Sequence, residues 1–183
     1  MQSVRFVRNN PSAFWAANIQ KAIKHHNEMA GRTLRYPEAD RNDRDLSGLN
    51  LSYAMLQGAD LYGAKLAKAN LQGADLSYAD LSEANLTGAN LSGARLKGAN
   101  LTHVILFVAD LTNANLYRAN LIGADLTRAN LTRADLSYSD LSDVDLRDAD
   151  LTYAFLHGAR MDNVDLRTAN LSGAIMPNGT KHP

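Results

Sequence analysis

The chain has 183 residues, with 19 Lys and Arg against 19 Asp and Glu, no cysteine, one tryptophan and 45% apolar residues. A formally neutral chain is not an electrostatic binder of nucleic acid. Without cysteine there is no disulfide framework, thiolate metal site or thiol nucleophile.

The first element in chain order is a predicted helix from Pro11 to Gly31. Proline stands near its start, glycine at its end, and Trp15, Ile19, Ala22, Ile23, His26 and Ala30 share one face at helical spacing. A polar segment, Arg32 to Asp43, follows. Two roles fit residues 1–43: an α-helical cap on whatever follows, or a helix that docks a partner. No run in the chain reaches the roughly 18 apolar residues of a membrane helix, and the start, Met1 to Arg8, lacks the apolar core of a secretory signal. The expected location is cytoplasmic.

From residue 46 the pattern changes. Leucine recurs at every fifth position from Leu46 to Leu171, interrupted by Met161 and followed in phase by Met176, which makes 27 centres. Alanine stands two residues before 21 of them. A period of five would smear the leucines around an α-helix, at about 100° per residue. In a flat strand an odd period would alternate them between faces. The pattern is satisfied if the chain turns once per pentapeptide, sending each Leu and the preceding Ala to a common interior. Asp or Asn and the two variable residues then face water. Stacked turns of such a coil pair their backbones about 4.8 Å apart.

Runs such as Ala69-Asn-Leu-Gln-Gly-Ala-Asp-Leu-Ser-Tyr carry the A(D/N)LXX signature, and residues 44–178 resemble the pentapeptide-repeat proteins. The resemblance implies an all-β solenoid, a right-handed quadrilateral β-helix with four pentapeptides per coil. On that basis there are about 6.75 coils and a rod about 30 Å long. The expected division is cap and linker 1–43, β-helix 44–178 and tail 179–183.

Within the repeat three irregularities stand out. Ile105, Phe107 and Val108 fall in outward slots and form an apolar patch mid-rod, a candidate partner-binding site; the other reading places it beneath the N-terminal region. Acids thicken from Asp135 to Asp150, with Arg133 at the edge of the stretch and Arg147 inside it. Phe155 and Ile175 occupy the Asp/Asn slot twenty residues apart, a candidate dimer contact, or else an apolar pair covered by the tail from Pro177 to Pro183. Tyr53, Tyr78, Tyr138 and Tyr153 recur in the second variable slot, which fits shielding of adjacent coils better than base stacking.

No chemistry-bearing constellation accompanies the repeat. His103 and His157 lack metal-ligand spacing, the abundant Ser and Asp are explained by the periodicity, and no phosphate loop is present. The expected function is a non-catalytic interaction or scaffold module with no cofactor, no metal and no direct nucleic-acid contact. The family resemblance supplies an alternative, mimicry of DNA toward DNA gyrase. Residues 44–183 carry a net charge of only −3, against +3 for residues 1–43, which is weak for a DNA mimic.

Overall fold

The computed structural model describes residues 45–183. The predicted helix from Pro11 to Gly31, and its role as cap or docking element, lie outside the described residues.

The unit of the fold is best seen in one pentapeptide, Ala69 to Gly73. Ala69 N–H donates to the Leu66 carbonyl at 3.0 Å, closing a β-turn. Asn70 N–H reaches back one coil to Leu49, while Leu71 and Gly73 N–H reach forward to Asn90 and Ser92, all at 2.7–2.9 Å. Only Gln72 N–H remains, and the Asn70 side chain accepts it at 3.1 Å. Every main-chain donor of the repeat is therefore satisfied, the last one by the residue type that defines the motif. The same bond recurs from Ser82 to Asp80, Thr112 to Asp110 and Thr152 to Asp150.

The turn explains the variable slots. Its third residue has positive φ, 58° at Tyr53 and 64° at Gly73, the signature of a type II turn. Among the described residues fifteen other than glycine hold this conformation, which isolated chains disfavour. The hydrogen-bonded stack on either side supports it.

Ladder pairs are parallel and twenty residues apart, from Asp45–Lys65 to Phe155–Ile175. Twenty residues are four pentapeptides, so the rod has four faces. Face one carries the ladder residues Asp45, Lys65, Asn85, Ile105, Asp125 and Asp145. Faces two, three and four start at Asn50, Met55 and Asp60. The interior is a column of Leu and Ala, with Leu66 through Leu96 fully buried. Ser139, in the alanine column, is buried with its hydroxyl donating to the Leu136 carbonyl at 2.7 Å. No buried side-chain polar atom among the described residues lacks a partner.

Regularity fails at one rung. Asp145 has no ladder partner at Asp165, and Val164 and Leu166 are only partly buried. Thr168, in the turn slot, is β-branched and does not take the positive φ of the other turns. The Asp148 N–H bonds to the Thr168 hydroxyl oxygen at 3.0 Å instead of to the carbonyl of Arg167. Pairing resumes at Asn170 and Ile175. The tail then folds back: Ile175 pairs antiparallel with Lys181, and His182 N–H donates to the Ala174 carbonyl at 2.7 Å. The last face-three rung is thus covered by the chain's own end.

Candidate interaction surfaces

The face-one irregularity is an apolar patch. Val104 and Leu106 point inward and are buried, whereas Ile105 and Val108 are exposed and Phe107 is half-buried. Ile105 pairs with Asn85 and Asp125, whose side chains accept the N–H groups of Thr87 and Thr127 at 2.9 Å. Ile105 cannot do this, so Phe107 N–H has no such side-chain acceptor. Val108 holds φ at 57°. A β-branched residue there is strained, at a cost on the order of 1–3 kcal/mol.

Phe155 and Ile175 are consecutive rungs of face three. Phe155 is 48% exposed, while Ile175 is partly covered by the returning tail. Of the pair, Phe155 is what the surface presents.

The tyrosines occupy a pattern that is visible in the sequence only at a spacing of twenty. A Cβ on Gly73 would lie 2.6 Å from the Tyr53 ring; Gly98, Gly158 and Gly173 meet Tyr78, Tyr138 and Tyr153 in the same way. His103 covers Gly123 likewise. Each ring lies against the glycine one coil later, in the space that a side chain there would take. Gly93 has nothing above it, and a shallow groove of about 330 Å³ opens there between Tyr53 and Asn113.

After face three, at the corner, rings and cations form a stack. Tyr117 meets Tyr138 edge-on at 5.7 Å, and Tyr138 meets His157 edge-on at 5.4 Å. The Arg118 guanidinium lies 5.2 Å and Lys97 Nζ 5.9 Å from the Tyr117 ring centre.

Charge is sorted by face. Face four and its corner hold Asp60, Asp80, Glu83, Asp140, Asp143 and Asp162 against one base, Arg160, a net −5. Faces one to three nearly balance. Arg160 bridges Asp140 at 3.7 Å and Asp162 at 2.5 Å. The Ser142 hydroxyl is the main cause that holds the Asp140 carboxyl below its usual range, and Arg147 does the same for Asp145. Arg167 pulls Asp165 down to about 2. Among the described residues no group of three His, Asp or Glu is placed to hold a metal, and no helix is long and apolar enough to cross a membrane.

With this geometry in view, the family described as pentapeptide repeats (8 copies) matches residues 45–82, 69–106, 109–148 and 139–178. The chain belongs to the pentapeptide-repeat family. Solved structures of similar chains include HetL, a pentapeptide-repeat protein involved in heterocyst differentiation regulation from the cyanobacterium Nostoc sp. strain PCC 7120. It is 38% identical over 75% of this chain and 76% of its own, with a TM-score of 0.37. QnrB1, a plasmid-mediated fluoroquinolone resistance protein, is 19% identical over 79% and 82%, with a TM-score of 0.54. Rfr23 from the cyanobacterium Cyanothece 51142 is 24% identical over 82% and 98%, with a TM-score of 0.41. Comparison with curated proteins finds no match. Pentapeptide-repeat proteins form right-handed quadrilateral β-helices, and the twenty-residue register of this chain is that of a four-sided coil.

Proposed function

We propose that this pentapeptide-repeat rod acts in the cytoplasm as a non-catalytic protein-interaction module, with the face-one patch as its principal contact. The observation that carries this is the patch itself. Ile105, Phe107 and Val108 replace a hydrogen-bonding Asx residue and turn formers on a face whose other outward residues are polar, charged or small. Strain at Val108 is a cost that folding alone does not call for. The test is capture from the host with wild type and Phe107→Asp as paired baits, after checking that both melt alike. A protein retained by the wild type and lost by the variant supports the reading; indistinguishable captures overturn it. Self-association through Phe155 beside Ile175 belongs to the same proposal. Sedimentation of Phe155→Asp against wild type tests it, a shared monomeric mass being the outcome against it.

A second reading, mimicry of DNA toward gyrase, draws support from face four. The weak average charge of the rod conceals a net −5 on that face, whereas Arg160, paired to two of its acids, interrupts the column. A supercoiling assay with purified protein decides it, and absence of inhibition or protection at micromolar concentration removes it.

A further inference from the structure

We infer that the corner after face three is a second binding surface, for a short acidic segment of a partner protein, with Tyr117 and Arg118 at its centre. The corner column from Gln57 to Gly158 contains the cations Lys97 and Arg118 and no carboxylate. Neither cation has an ion-pair partner among the described residues, unlike the Arg95, Arg147, Arg160 and Arg167 side chains. Both are instead held against the Tyr117 ring. That contact fixes the guanidinium without neutralising it, leaving its N–H fork for an incoming carboxylate. The edge-on contacts from Tyr117 through Tyr138 to His157 order the rings beside it, so little side-chain freedom is lost on binding. Tyr and Arg in a preordered cluster are the residue types that dominate protein interfaces.

Charge complementarity selects the occupant. The nearby ladder groups of face three are Asp75, paired with Arg95 at 3.8 Å, and Asp135. They leave the corner locally positive. A nucleic-acid strand would find the same cations, but its charge runs on past the corner toward face four, whose net is −5. Repulsion acts over a Debye length of about 8 Å. The rings also spend edges and faces on one another and do not form a free stacking platform. A segment of about six residues, with four carboxylates and apolar residues between them, is short enough to stay along the positive corner.

The experiment is fluorescence anisotropy of a labelled Glu-Leu-Glu-Glu-Leu-Glu peptide with the full chain. Parallel arms use a Lys-Leu-Lys-Lys-Leu-Lys peptide and single-stranded oligothymidine. Saturable binding of the acidic peptide, weakened at least tenfold in Lys97→Gln/Arg118→Gln and in Tyr117→Leu, supports the proposal. Arg128→Gln/Arg133→Gln removes the same net charge from other corners and should leave affinity within about twofold. The four cations substituted are exposed and Tyr117 is half-buried, and melting curves confirm folding of each variant. Equal losses in the two charge-matched double variants overturn the proposal, as does tighter binding of oligothymidine or no binding of the acidic peptide.

Discussion

The Asp/Asn of each repeat has a task that its outward position does not suggest. Its side-chain oxygen accepts the one main-chain N–H that neither the ladder nor the turn uses. Where an Ile occupies this slot near the end of the rod, at Ile175, the residue two later is Pro177, which has no N–H to offer. Asp110→Asn keeps the acceptor for Thr112 N–H and should leave the melting temperature nearly unchanged. Asp110→Ala strands that donor and should cost about 1 kcal/mol, read as a lower midpoint in urea; equal midpoints for the two variants would contradict this role. The inward positions were legible in the sequence because Leu and Ala repeat in strict phase. The donor served by Asp/Asn was not, since a residue facing water gives no hint of which backbone group it accepts from.

The type II corner is the element that sets the tolerance of the coil. Thr168 fails to enter it, and one rung is lost beside Asp165. Thr168→Gly should admit the positive φ, restore pairing between Asp145 and Asp165 and raise the melting temperature by about 2–4 °C, the shift expected for about 1 kcal/mol. Hydrogen exchange at Leu146 reports the restored rung, and unchanged protection there would count against it. Acid should act on the same coil. The Asp165 carboxyl is drawn down to about 2, first by its bond to the Arg167 side chain and then by the Arg167 N–H. A lowered carboxyl stabilises the fold above the ordinary value of 3.8 and loses that contribution as pH falls toward about 2. Asp45 and Asp140, lowered chiefly by the Ser47 N–H and the Ser142 hydroxyl, act in the same direction. Melting temperature is therefore expected to fall across that window, with residues 162–170 losing protection first; a flat profile would refute it. The five-residue period could show that the chain turns but not how many turns close a coil. The twenty-residue register is what reveals the Tyr–Gly pairs, which are plain in the sequence once each residue is compared with the one twenty later.

At the scale of the rod, stability is a sum of neighbouring coil contacts, and phase matters more than any surface group. One residue inserted between Asp110 and Leu111 should lower the melting temperature far more than Ser92→Ala, because every later Leu would have to regain its column; equal temperatures would contradict a phased coil. Linear reading of charge misled at this scale, since counting along the chain averages four faces that folding separates. The hydrogen bonds carry a further consequence. In each regular repeat with a coil on either side, two N–H groups, those of Leu and of the second turn residue, point toward the following coil, and one, that of Asp/Asn, points back. The peptide dipoles do not cancel as they do in an ordinary sheet. One unit per pentapeptide is left over along the axis, with its positive pole at the C-terminal end, the reverse of an α-helix. The carboxylates Asp135, Asp140, Asp143, Asp145, Asp148 and Asp150 gather toward that positive pole. The stacked backbone is an axial electret, and those carboxylates sit where they oppose its field.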